Sequence, residues 1–212
     1  VEGLDSIRNL DLYRVCESYL NKNITNEQIT IHGFSPDPFR ADCKEDGRSK
    51  GGVALFYKPN TPIKERPDLV TNFDETVVAE IHLKSKKVFF VLTYRSPSQT
   101  SEQCDKFFVN LETLYSKILK ENPHTIVLAG DYNARSLLLW DEELTETSAG
   151  KKLSDFMMLN NLEQLIDEPT HFPREHIATC IDLIFTNQPN SFVDIGVLPS
   201  LDPCCKHDII HG

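Results

Sequence analysis

Hydrophobic residues along this chain fall mostly into short, β-branched runs that are separated by turn-forming residues. Runs of this length, bounded by Gly, Pro, Asn or Lys, are typical of buried strands and too short for helices. We predict strands at 10–16, 53–57, 77–83, 88–94, 125–130, 180–186 and 193–198. The lysines at 84, 86 and 87 predict a hairpin turn between two of these strands.

Helical spacing appears in two places. Thr100, followed three residues later by Gln103, predicts a capping box at the start of the first helix, which Pro123 ends. The second helix is predicted over 149–161, with Leu153, Phe156 and Met157 facing inward. The first helix carries an apolar stripe that we interpret as core packing: Phe107, Phe108, Leu111, Leu114, Tyr115, Ile118 and Leu119.

Strands outnumber helices, and the two alternate only in the second half of the chain. This order favours a mixed sheet, or a pair of sheets flanked by helices, over a doubly wound parallel fold. The 212 residues are enough for one large domain with a sizeable core, and we treat 1–212 as a single domain.

Composition limits the functional classes. A hydrophobic content of 40% and a charged content of 25% are ordinary for a soluble globular protein. The net charge of −10 counts against tight autonomous nucleic-acid binding, but it does not exclude a metal-dependent nuclease, whose ligands are acidic. The six cysteines form no C-x-x-C pair, so we expect no zinc site and a reducing intracellular compartment. The start has no Met and no secretory pattern, so we expect a fragment of a longer reading frame or one damaged at its start.

The candidate functional side chains lie mostly at the ends of the predicted strands. The run 125–130 breaks at Gly130 into Asp131 and Asn133, which point the same way if the backbone stays extended. An acid beside an amide suits a phosphate and its attacking water, although an Asp/Asn turn after a strand is also common. Asp182 interrupts an apolar strand and therefore needs a partner, unless it lies on a wet face.

Two further strand ends carry candidate residues. Glu17 follows the first predicted strand; it is either a hard oxygen ligand of the kind Mg²⁺ prefers or a surface glutamate. Tyr94 and Arg95 follow the strand 88–94, where Tyr94 is either a hydrogen-bond donor or a packed rim residue.

Taken together, these segments resemble the endonuclease/exonuclease/phosphatase family, and in particular the apurinic-type endonuclease domain of non-LTR retrotransposons. The order and spacing follow the family from about residue 10 to 210. The matching segments are Glu17-Ser18-Tyr19-Leu20, Gly51-Gly52-Val53-Ala54, Tyr94-Arg95-Ser96-Pro97, Gly130-Asp131-Tyr132-Asn133-Ala134 and Ile181-Asp182-Leu183-Ile184-Phe185-Thr186-Asn187.

The resemblance implies a four-layered α/β sandwich of two packed mixed β-sheets flanked by helices. It also implies roles for individual residues. Glu17 would bind Mg²⁺ or Mn²⁺, Asp131 would handle the proton of the attacking water or leaving oxygen, and Asn133 would donate to the phosphate. Asp182 would hold His207. Tyr94 would donate a hydrogen bond to a phosphate oxygen of the substrate, and Arg95 would help to bind that phosphate.

Two departures from the family matter. The family's upstream asparagine has no counterpart, because Asn9 is too close to Glu17, so we expect the first strand to be missing. The family's S-D-H is replaced by Cys205-Lys206-His207, and Asp208 should point to the other face.

The leading hypothesis is therefore a Mg²⁺-dependent DNA endonuclease domain. It would leave a 3′-hydroxyl that primes a fused reverse transcriptase, inside the cell and in the nucleus at the site of action, with no membrane association. The alternatives are a catalytically inactive remnant and a phosphatase of the same fold family. Trp140 is expected either to anchor a loop or to stack on DNA, and His171 is not expected to be catalytic.

Overall fold

A computed structural model describes residues 11–43, 51–73, 75–173, 177–200 and 205–211. Its helices are α1 (Ser101–Lys120) and α2 (Ser148–Leu159). Its strands are β1 (Leu12–Cys16), β2 (Phe39–Ala41), β3 (Val53–Tyr57), β4 (Ile63–Glu65), β5 (Thr76–Leu83), β6 (Lys86–Tyr94), β7 (Thr125–Asp131), β8 (Glu163–Gln164), β9 (Asp182–Thr186), β10 (Gly196–Leu198) and β11 (Ile209–His211).

A six-stranded sheet in the order β4-β5-β6-β7-β9-β8 forms the centre of the fold. Strands β6 and β7 run parallel, and the other neighbours are antiparallel. The parallel pair needs a crossover, which α1 supplies. The predicted hairpin is confirmed, because β5 and β6 pair from Leu83 opposite Lys86 onward.

A three-stranded antiparallel sheet, β1-β3-β2, packs on one face of the six-stranded sheet. Alternate residues of β6 point to opposite faces, so Leu92 and Tyr94 meet Val53 and Leu55 of the smaller sheet. The predicted pair of packed sheets is confirmed. Of these two sheets, only the six-stranded one is mixed, because it contains the parallel pair β6 and β7. Strands β10 and β11 form a separate antiparallel pair.

The opposite face of the six-stranded sheet is covered by both helices. Phe89 of β6, Leu111 and Ile118 of α1 and Leu153 of α2 are fully buried in one cluster. The helical stripe is core packing as predicted, except that Leu119 is 47% exposed. The capping box is also confirmed, since Thr100 Oγ1 accepts from the Gln103 amide at 3.2 Å and Gln103 Oε1 accepts from the Thr100 amide at 2.9 Å.

The outer face of the three-stranded sheet is covered by a loop. In the described part of the chain a loop over residues 20–34, with a short 3-10 turn at Asn26–Ile29, forms this layer. Leu20 and Phe34 pack there against Ala54 and Phe56. The four layers are therefore loop, small sheet, large sheet and helices. Among the described residues, neither helix is long and apolar enough to cross a lipid bilayer.

Candidate active site

The site lies where three neighbouring strands of the large sheet meet. Tyr94 ends β6 and is in register with Asp131 at the end of β7, and Asp131 is in register with Asp182 at the start of β9. Directly paired residues point to the same face, so the three side chains form a row across the sheet. Residues far apart along the chain are thereby brought side by side.

Gly130 allows this row to form. A Cβ added at Gly130 would lie 2.0 Å from the Thr93 carbonyl oxygen, a distance that no side chain tolerates. The backbones of β6 and β7 therefore approach closely at this glycine. It keeps β6 and β7 in contact up to their last residues, Tyr94 and Asp131.

Asp182 has the partner that its position demanded. His207 Nδ1 lies 2.8 Å from Asp182 Oδ2, and the Thr170 hydroxyl donates to the same oxygen at 2.9 Å. Thr170 Oγ1 in turn accepts from the Asp182 amide at 3.0 Å. The carboxylate is buried, and these contacts fix its orientation.

Two pKa values in this group are strongly shifted. Burial would lower the pKa of His207, but the hydrogen bond and charge of Asp182 outweigh it and raise that pKa to about 9. Burial, reinforced by the charge of Asp182, raises the pKa of Asp131 to about 8. At neutral pH the site therefore contains an imidazolium beside a carboxyl group that exchanges its proton readily.

Glu17 reaches the site from the smaller sheet. The Tyr94 hydroxyl donates to Glu17 Oε1 at 2.5 Å, and the Tyr19 hydroxyl donates to Oε2 at 3.0 Å. Tyr94 is itself paired with Asp131, so its hydrogen bond connects Glu17 to the row of site residues. Burial and then Glu17 raise the pKa of Tyr94, so its hydroxyl remains a donor.

Asn133 and Arg95 form the loop beside the row. The Asn133 amide nitrogen donates to the Arg95 carbonyl at 2.9 Å, and the Asn133 backbone N–H donates to Asp131 Oδ1 at 3.0 Å. The buried Arg95 guanidinium donates to the carbonyls of Tyr132 and Asn133, each at 2.6 Å. Arg95 therefore holds the loop of Asp131 and Asn133 through these carbonyl contacts. This role differs from the phosphate contact that was expected of Arg95.

Sequence reasoning missed three residues that the structure places in this group. Thr170 holds Asp182, Tyr19 holds Glu17, and the ring of His171 packs against that of His207 at a tilt of 44°, with centroids 4.6 Å apart. Two of them, Thr170 and His171, are neighbours in the segment Pro169-Thr170-His171-Phe172, which shows no periodicity that would indicate a role.

The structure also shows where Trp140, Asp208 and Lys206 lie. Trp140 is buried and its indole N–H donates to the Asp167 carbonyl at 3.0 Å, so it anchors a loop and the DNA-stacking alternative is wrong. Asp208 Oδ1 accepts from the Ser200 amide at 2.9 Å, while Lys206 is exposed next to His207. Asn9 and Cys204 lie outside the described residues; the other five cysteines are free.

The donor atoms present suit a divalent cation. Asp131, Asp182 and His207 each offer one ligand atom within 4.8 Å of the others. The raised pKa of His207 argues against the imidazole as a ligand, because a ligating histidine must be neutral. The Glu17 carboxylate is the better ligand for a hard cation such as Mg²⁺, because the raised pKa of Asp131 disfavours its ionised form.

Comparison with known proteins identifies the family and the fold of this chain. A family model described as endonuclease-reverse transcriptase matches residues 88–206, more than half of the chain. The search of curated proteins found no match. Among solved structures, the endonuclease domain of TRAS1, a telomere-specific non-LTR retrotransposon, aligns over 97% of this chain and 85% of its own, with 16% identity and a TM-score of 0.72.

Two further solved structures align almost as well. A 3′-5′ exonuclease from Neisseria meningitidis matches over 98% of this chain and 90% of its own, with 14% identity and a TM-score of 0.70. The catalytic domain of Xenopus laevis APE2 matches over 99% and 85%, with 15% identity and a TM-score of 0.65. At these identities the structural matches establish the shared fold.

Proposed function

This chain belongs to the endonuclease-reverse transcriptase family, and we propose that it is a metal-dependent endonuclease domain that hydrolyses phosphodiester bonds in DNA. The observation that carries the proposal is the row Tyr94–Asp131–Asp182, with Glu17 bonded to one end and His207 to the other. This row places acids, a cationic donor and a phenol side by side where strands of the large sheet end, and a divalent cation held there would attract an anionic phosphodiester.

Glu17 would hold Mg²⁺ or Mn²⁺, whose charge would stabilise the negative charge that develops on the phosphate oxygens. The family relationship and the chemistry of the carboxylate support this assignment. Tyr94 would keep Glu17 oriented at its end of the row.

Asp131 would move the proton. With a pKa raised to about 8, its carboxyl group can take a proton from the attacking water and return one to the leaving oxygen near neutral pH. Asn133 would orient the substrate with the amide N–H that is not used by Arg95.

His207 would supply positive charge. Asp182 and Thr170 hold its Nδ1 side, so its Nε2–H is the donor left for a phosphate oxygen. A fixed donor of this kind stabilises the transition state because it needs no reorganisation as charge develops.

The biological role we propose is target nicking, in which the released 3′-hydroxyl primes a reverse transcriptase fused to this domain, in the nucleus. The family description and the likeness to a retrotransposon endonuclease fold support it. One observation favours the alternative of an inactive remnant: exposed Lys206 stands next to His207, at the position where the resemblance to the family implies an aspartate.

A nicking assay on supercoiled plasmid with Mg²⁺ tests the proposal. The parent chain should convert the plasmid to the open circular form, and Asp131→Ala should lower the rate by at least about 100-fold. Asp105→Ala, an exposed acid on α1 that pairs with Lys152, is the matched control and should cut like the parent.

Each contrary result has a definite meaning. A parent chain that never nicks supports the remnant, and nicking that survives Asp131→Ala refutes the site. Hydrolysis of a soluble phosphomonoester without action on DNA would identify a phosphatase.

A further inference from the structure

Tyr19 contacts Glu17 from the side opposite to Tyr94. Its hydroxyl donates to Glu17 Oε2 at 3.0 Å, while Tyr94 donates to Oε1 at 2.5 Å. Both oxygens of a single carboxylate are therefore held by phenol hydroxyls. Tyr19 is 46% exposed, so burial of its ring does not account for its position.

The backbone around Glu17 is arranged to make this contact. Glu17 and Tyr19 have φ values of 52° and 55°, in the left-handed region that non-glycine residues rarely adopt. The turn is held by two backbone bonds, from the Ser18 amide to the Gly52 carbonyl at 3.1 Å and from the Tyr19 amide to the Gly51 carbonyl at 3.0 Å. Unfavourable conformations of this kind persist where the surrounding structure enforces them, often at functional sites.

We propose that Tyr19 is a positioning residue that fixes the Glu17 carboxylate for binding a divalent cation; the inference rests on the proposed function, which makes Glu17 a metal ligand. A carboxylate oxygen that accepts one hydrogen bond still has a lone pair for a cation. Without Tyr19, Oε2 of the partly buried Glu17 would be free to turn toward solvent. Partners that orient a ligand typically contribute 10–100-fold to metal affinity.

A different role is that the exposed ring of Tyr19 stacks on a DNA base. Tyr19→Phe separates the two roles, because it removes the hydroxyl and keeps the ring. Tyr57→Phe is the matched control: Tyr57 lies at the other end of β3, paired with Leu12, whereas the Glu17 end of β1 pairs at Val53.

The test is calorimetric titration of the purified chain with Mn²⁺ alone, followed by the Mg²⁺ dependence of plasmid nicking. Tyr19→Phe should weaken Mn²⁺ binding about tenfold and raise the Mg²⁺ concentration for half-maximal nicking by a similar factor. The rate at saturating Mg²⁺ should stay near that of the parent. Tyr57→Phe should leave both quantities unchanged, and Tyr19→Phe should have no further effect on Mn²⁺ binding in a Glu17→Gln background.

The failures of the two proposals are distinguishable. If Tyr19→Phe binds Mn²⁺ as the parent does, the inference is overturned while the endonuclease proposal stands. If the parent neither binds Mn²⁺ nor nicks, both fall together. Unchanged Mn²⁺ affinity with weaker DNA binding would assign the Tyr19 hydroxyl to substrate contact instead.

Discussion

The chemistry of individual residues in the site is governed by burial. Asp131 and Asp182 are adjacent and both nearly excluded from solvent, and two such carboxylates cannot ionise independently. His207 compensates Asp182, which leaves the pKa of Asp131 raised to about 8. The same arrangement makes the stability of the folded chain depend on pH.

The pKa of His207 is raised to about 9, above the ordinary value of about 6.5. Its contribution to stability is complete below about pH 6.5 and is lost as the pH rises through about 9. The unfolding free energy of the parent should decrease over this pH range, and in His207→Gln this decrease should be smaller by on the order of 1–3 kcal/mol. Urea unfolding in EDTA at several pH values measures the unfolding free energy of both proteins.

Asp131 contributes to the pH dependence of stability in both the parent and His207→Gln. Because its pKa is raised in the folded state, its ionisation costs stability from about pH 4 up to about pH 8. The difference between parent and variant reports the loss of His207 together with a further rise in the pKa of Asp131, which the positive charge of His207 lowers. Exposed His32, replaced by Gln, is the control. Superimposable pH profiles for parent and His207→Gln would contradict a charged His207–Asp182 pair.

Arg95 permits a sharper prediction about its role. Lysine keeps the charge but cannot reproduce the planar fork that reaches the Tyr132 and Asn133 carbonyls. Arg95→Lys should reduce kcat by about tenfold or more by displacing the loop. The salt dependence of KM should not change, whereas losing a phosphate contact would lower the salt slope by about one. A slope that falls with little change in kcat would restore the phosphate role.

At the level of elements, the site depends on strand ends staying paired. Gly130→Ala would push its Cβ into the Thr93 carbonyl and separate β6 from β7 beside Tyr94 and Asp131. We expect a loss of about 1–3 kcal/mol in unfolding free energy, together with reduced nicking.

Gly33→Ala is the control, because nothing lies within 4 Å of its added Cβ. Its φ of 90° should cost stability without altering nicking by the folded protein. Equal nicking by the two glycine variants, measured below their unfolding midpoints, would show that β6–β7 contact does not position the site.

The sequence predicted these elements because strand periods and helix caps are local signals. The run ending at Gly130-Asp131 and the pair Thr100 and Gln103 are read from a few neighbouring residues. The contacts of Thr170 and His171 depend on irregular segments meeting across the fold, where His171 pairs with both Thr179 and His207. Likewise, the direction of Arg95 follows from a loop 38 residues away along the chain. No periodicity encodes such meetings.

For the whole molecule, the decisive property is a net charge of −10. Nucleic-acid binding usually draws its affinity from basic surfaces that release counterions from the phosphates. This chain carries 22 basic and 32 acidic residues, so general electrostatics oppose its proposed substrate. If DNA is the substrate, bound divalent cations must reverse the sign of the field at the site.

DNA affinity should accordingly depend on a divalent cation. With a fluorescent duplex in EDTA, we expect a Kd no tighter than the nonspecific range of about 10⁻⁴–10⁻⁶ M. Adding Ca²⁺, an oxygen-seeking cation, should tighten binding by about tenfold in the parent chain. Glu17→Gln should abolish most of that gain and leave the affinity in EDTA unchanged, because the gain requires the carboxylate that Tyr94 holds. Tight binding in EDTA would instead place the DNA on a basic surface away from Glu17 and Asp131.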